Sequence, residues 1–150
     1  MKVFAALAVV VVVAMYSVSY WRGQPPASLL TAAVLILFLG LGHSVMGEQR
    51  LVRPLLALPG LPTPRGSVEQ TRIIVRLSWH ALSIMWWGLG AVLAWSHFSP
   101  SDVSRPFLIM VTTVSFISGA AVLAGTRGGH PSWIYFFLIA GLVGHRAALG

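Results

Sequence analysis

Apolar residues fall in long unbroken runs along this chain, rather than at alternate positions or on one face of each turn. The first run, "VFAALAVVVVVAMYSVSYW", carries no charge. A helix that crosses a bilayer needs roughly 20 mostly apolar residues. Five stretches meet that need, at about residues 3–21, 27–47, 68–98, 106–125 and 131–149. The pattern predicts an all-α fold, a polytopic membrane helix bundle of five transmembrane helices forming one integral membrane domain. The first run has features of a secretory signal, with Lys2 before it and a small-x-small "SVS" at 17–19. Its length of about 18 apolar residues is long for such a signal, so it reads as a retained first helix.

The interruptions are chemically distinct. "GQPP" at 23–26 is a turn, and Pro26 suits the first turn of a helix, where a missing N–H costs nothing. Residues 48–66, "EQRLVRPLLALPGLPTPRG", hold four prolines and two glycines. The prolines argue against one straight helix, and the leucines predict a segment lying in the membrane interface. Ser67 and Gln70 form an S-x-x-Q capping box that opens the third helix. That helix would run roughly 46 Å, longer than the roughly 30 Å apolar core. Its first turns, with Glu69, Arg72 and Arg76, should therefore project from the membrane. Pro106 marks the next start; Gly128, Gly129 and Pro131 mark the last stop and start.

Composition agrees. Of 150 residues, 57% are hydrophobic and 9% are charged, against about a quarter charged in soluble domains. There is no cysteine, so disulfides, iron–sulfur clusters and thiolate metal sites are excluded. The net charge of +7 places arginines at membrane edges, where they meet anionic lipid; with the basic residues lying between spans, nucleic acid is not an expected partner. With the N-terminus inside, the inner side carries Lys2, Arg50, Arg53, Arg65, Arg72, Arg76 and Arg127, and the outer side Arg22, Arg105 and Arg146. The excess of basic residues on one side predicts a cytoplasmic N-terminus and an outer C-terminus. Trp21 and Trp95 then form an outer aromatic belt, and Trp79 and Trp133 an inner one. Trp86 and Trp87 lie mid-span, one expected between helices and the other against lipid.

Candidate chemistry follows from depth. His43, His80, His130 and Glu48 all fall near the arginine-rich level. Imidazole and carboxylate ligate transition metals, and ionisable groups in a membrane are functional candidates by default. These four residues are the predicted metal site, for iron or copper, with Arg76 tuning local charge. His43 and Glu48 are five apart, a poor spacing for one helical face unless the helix ends at Gly47. Arg72, Arg76 and His80 make a stripe at i, i+4, i+8, continued by Ser83. Gly40, Ser44 and Gly47 give the second helix a small-residue edge for close approach.

A b-type haem variant uses His43 with His80 at the inner face and His97 with His145 at the outer face. That two-haem layout is similar in outline to small membrane cytochromes b, although no local motif of such a family occurs. Ser132 and Tyr135 could support His130 by hydrogen bonds. Arg50, Arg53 and Arg65 could contact lipid phosphate. The alternative is plainer. Glu48 pairs with Arg72 or Arg76, His80 bonds Ser44 or backbone, and the protein is a non-catalytic accessory or scaffold subunit beside other membrane subunits. No G-x-S-x-G, phosphate-binding loop or central carboxylate supports acyl transfer, nucleotide binding or a proton path.

Overall fold

Runs this apolar must satisfy their backbone internally, and the helix does so within one segment. The computed structural model describes residues 2–22, 27–63 and 66–149. Pro26 and its turn, Arg65, and the side chain of Lys2 lie outside the described residues. The helices are α1 (Lys2–Trp21), α2 (Ser28–Leu56), α3 (Val68–Phe98), α4 (Arg105–Thr126) and α5 (Ser132–Ala148), with a 3₁₀ turn at Pro100–Asp102. No strand occurs among the described residues.

Three helical segments are long and apolar enough to cross a membrane: Ser28–Leu56, Val68–Phe98 and Arg105–Gly125. This is fewer than the five expected. The described apolar stretch of α1, Ala6–Trp21, is shorter. Helix α5 has 17 residues, about 26 Å of rise against a core of roughly 30 Å.

The second helix does not stop at Gly47. It continues to Leu56 by switching to π-helical turns at Gly42–Met46 and Glu48–Val52 before a last α-turn at Arg53–Leu56. The expectation of an interfacial segment from residue 48 is thus corrected over residues 48–56. Pro54 gives a physical reason for the second π stretch. It has no N–H for the Arg50 carbonyl, and its ring crowds that carbonyl in an α-helix; a widened turn relieves both. The true break is the loop that follows, where Gly60 has φ +77. Arg72 Nε donates to Leu56 O at 3.2 Å, and Thr71 Oγ1 to Pro62 O at 2.6 Å. These bonds tie the loop to α3. The capping box forms only in its first half, with Gln70 N–H donating to Ser67 Oγ at 3.0 Å.

Helix α2 is the hub. It packs on α3 along one side and α5 along the other, α5 also packs on α4, and α1 lies against α2 and α5. Leu35, Leu93, Ile139 and Val143 are fully buried between them. The α4–α5 pair closes through small residues: Gly119 lies against Phe137 and Gly144 against Thr112. Helix α4 ends in a Schellman motif, with Gly128 N–H bonded to Leu123 O at 2.9 Å and Arg127 N–H to Ala124 O at 3.2 Å. Arg127 holds the left-handed position at φ 51, which costs a non-glycine residue about 1 kcal/mol. Arg127→Gly is therefore expected to raise the thermal unfolding midpoint in detergent by about 2–4 °C, read by circular dichroism.

Candidate functional site

The lower halves of α2 and α3 meet in an antiparallel ladder. Gly40 lies under Trp87, and Gly47 lies under Trp79. His43 Nδ1 pairs with Ser83 Oγ at 3.0 Å, Ser44 Oγ with His80 Nδ1 at 2.6 Å, and Glu48 with Arg76. The two histidines are thus matched crosswise to serines on the opposite helix. The small-residue edge read from Gly40, Ser44 and Gly47 is what allows this closeness.

The π turns decide which residues join the ladder. In an α-helix, residues five apart stand about 140° apart around the axis. Bonds running i to i+5 bring such residues toward one face. Hence His43 and Glu48 both reach α3, without the helix ending between them. Trp79 reinforces the first π turn. Its ring stacks on the His43 imidazole, with centroids 4.2 Å apart and planes 8° from parallel. Its Nε1 donates to His43 O at 2.9 Å. Trp86 meets His43 edge-on at 5.0 Å.

Glu48 is buried at 9% exposure. Its Oε1 accepts from Arg53 Nε at 3.3 Å and forms an ion pair with Arg76, whose Nε is 3.0 Å away. His80 Nε2 stands 3.5 Å from Oε2, which has no hydrogen-bond partner among the described residues. One carboxylate therefore faces two guanidiniums, with one imidazole beside it. Arg72 does not reach it, and instead binds Leu56 O and lies 3.9 Å from Glu69.

A cavity of about 330 Å³ opens on the other side of His43. Its walls are mainly Phe38, Leu39, Met46, Leu51, Trp79 and Pro131, and its polar lining comes from His43, His130, Arg50, Ser132 and Tyr135. The hydrogen bonds around the two imidazoles bear on what they offer. The backbone N–H of Ser132 donates to His130 Nδ1 at 3.4 Å, with Ser132 Oγ 2.8 Å away. Nδ1 is then an acceptor, and a neutral ring carries its hydrogen on Nε2. Ser83 is fully buried, and His43 Nδ1 is its side chain's hydrogen-bond partner among the described residues. Its hydroxyl hydrogen must go there or remain unpaired. With that hydroxyl hydrogen directed at Nδ1, neutral His43 is also an Nε2–H donor. Neither Nε2 is hydrogen-bonded to a described residue.

The four residues expected around one metal are divided. Glu48 and His80 join the arginine pair, whereas His43 and His130 line the cavity. No group of three or more histidine, aspartate or glutamate residues able to hold a metal is present among the described residues. His97 and His145 lie on α3 and α5, which each pack chiefly on other helices. His97 contacts Phe98, and His145 is exposed.

Sequence reasoning assigned Trp79 to an interfacial belt and missed it as the platform for His43. Gly47, a bare position facing α3, was the signal for a large ring opposite. Trp86 and Trp87 both pack between helices: Trp86 contacts His43 and Phe136, and Trp87 Nε1 donates to Leu37 O at 3.3 Å. Comparison with known protein families, with curated proteins and with solved structures returns no match.

Proposed function

We propose that this chain is a multi-pass membrane protein, cytoplasmic at its N-terminus, that binds a small amphipathic molecule in the His43–His130 cavity. The apolar body of the ligand lies against Phe38, Leu39, Met46 and Trp79. Its oxygen-bearing head accepts hydrogen bonds from the two Nε2–H groups. Membrane residence is supported by the long apolar helices and by their outward faces. Helix α3 exposes Leu77, Ile84, Met85 and Val92, and α4 exposes Ile109, Met110, Phe116 and Ile117. Such contiguous apolar surface is not left bare in water.

The observation that carries the ligand reading is the shared polarity of the two imidazoles. A metal-bound histidine donates its second ring N–H to an acceptor. Here Ser132 N–H donates to His130 Nδ1, which supports a donor role for His130 Nε2 over ligation of iron or copper, singly or in haem; we assign His43 the same tautomer, the one that pairs the buried Ser83 hydroxyl hydrogen. The cavity volume falls at the lower end of those that hold small organic ligands.

Trp79 lines the cavity, so its fluorescence tests the proposal. Purified protein in detergent is titrated with a brominated medium-chain fatty acid and with a short-tailed benzoquinone, both quenchers of tryptophan. Saturable quenching is expected for at least one. His43→Leu or His130→Leu should weaken it about tenfold, the loss of one hydrogen bond from a well-matched site. Linear quenching, identical in both variants, would mean simple partition into the micelle and end the proposal. A Soret band in the purified protein would replace it with haem binding.

A further inference from the structure

A second cavity lies at the opposite end of the helices. Helix α5 runs from Ser132 in the first cavity to Ala147 in the second, and α2 from Leu29 in the second to His43 in the first. It holds about 90 Å³ and is lined by Leu29, Ser96, Val103, Arg105, Leu108 and Arg146, with Pro100 and Ala147 at its edge. Water occupies about 30 Å³ per molecule, so the space is on the scale of one phosphate group, with anything attached to it lying outside.

Among the described residues, the charges at this cavity are unbalanced. Neither Arg105 nor Arg146 has a hydrogen bond or ion pair with a described residue. Ser96 cannot supply a negative charge, and its hydroxyl already donates to Val92 O at 2.6 Å. At the other end, by contrast, Arg53 and Arg76 share Glu48. Two guanidiniums on different helices, facing one small cavity whose described lining holds no carboxylate, form a site for an anion. Guanidinium is the side chain best matched to phosphate oxygens, through paired parallel hydrogen bonds. Leu29, Val103 and Leu108 give the same cavity an apolar wall, which free phosphate would not use.

We propose that Arg105 and Arg146 hold the phosphate group of a phospholipid, an anionic one such as phosphatidylglycerol being preferred because it offsets a cationic pair. The lipid source rests on the membrane reading above; it is independent of the His43–His130 ligand. The site fixes the start of α4 to the end of α5 through the bound headgroup.

The test is native mass spectrometry of the full chain released from detergent supplemented with phosphatidylglycerol, phosphatidylcholine or inorganic phosphate. One retained phosphatidylglycerol is expected, in preference to phosphatidylcholine. Arg105→Gln and Arg146→Gln should each lower its occupancy about tenfold, and Arg146→Lys by less, because the charge remains without the planar fork. Arg127→Gln, at the opposite end, should leave occupancy unchanged. Displacement of the lipid by inorganic phosphate would keep the phosphate site but overturn the lipid source. Equal retention in wild type, Arg105→Gln and Arg146→Gln would overturn the site itself, as would an equal loss in Arg127→Gln. Unfolding midpoints measured alongside separate loss of the site from loss of the fold. Fatty-acid or quinone quenching at Trp79 is read on the same samples, so either cavity can fail alone.

Discussion

Gly47→Val is expected to lower the thermal unfolding midpoint in detergent by about 4–16 °C, read by circular dichroism. A Cβ at this position would stand 2.8 Å from both Cε2 and Nε1 of the Trp79 ring. Those atoms are not the end of a flexible chain. The ring is held between the His43 imidazole and its own hydrogen bond to His43 O. Valine adds two further methyl groups, so the indole must leave its stack or the helices must part. Overpacking of this kind costs about 1–3 kcal/mol, and the lost bond about 1 kcal/mol more. At 2–4 °C per kcal/mol for a chain of this size, the range stated follows. Trp79→Leu alone should also destabilise. Combined with Gly47→Val it should be milder than the sum, because the shorter side chain vacates the space. Strict additivity of the two would show that Gly47 and Trp79 do not share this contact. Gly47→Val should in addition weaken ligand quenching, since Trp79 forms a wall of the cavity.

Glu48→Ala is the second large effect, a loss of about 2 kcal/mol or roughly 4–8 °C. The carboxylate is buried, but its partners are not: the side chains of Arg76 and Arg53 are 47% and 68% exposed. Once Glu48 is gone, both guanidiniums can turn to water, which keeps the cost below that of a fully buried pair. The loss is asymmetric. Arg53→Ala leaves Arg76 on the same oxygen and should cost less than 1 kcal/mol. Glu48→Ala instead removes the carboxylate shared by both. Equal shifts for Glu48→Ala and Arg53→Ala would show that the carboxylate acts through one partner only. Glu48→Gln should fall between them, since an amide oxygen still accepts from Arg76 but carries no charge.

Much of this architecture was legible along the chain, and the reasons are local. A helix satisfies its own backbone, so the apolar runs were enough to place α1, α3, α4 and α5 within a residue or two. Ser67 capped α3 through Gln70, and the glycines at 128 and 129 stopped α4 as read. Depth along a helix axis is also a one-dimensional quantity, fixed by 1.5 Å per residue. For that reason His43, Glu48, His80 and His130 could be read to one arginine-rich level. The close edge of Gly40, Ser44 and Gly47 was legible too, because absence of bulk is a property of the residues themselves.

What depth could not supply was direction around the axis. That depends on the hydrogen-bond register of the helix and on what the partner helix presents. The π turns at Gly42–Met46 and Glu48–Val52 rotate the end of α2, carry the helix past Gly47, and turn Glu48 onto α3. Nothing local marks them except Pro54 and two glycines. With that rotation, residues at one level were sorted into two sites. Glu48 and His80 went to the arginines, and His43 and His130 to a cavity. For His43 the hydrogen-bond partner of the ring was likewise tertiary, because Ser83 comes from α3. The sequence by itself determined which groups share a level; only the packing of α2 between α3 and α5 decided which of them meet.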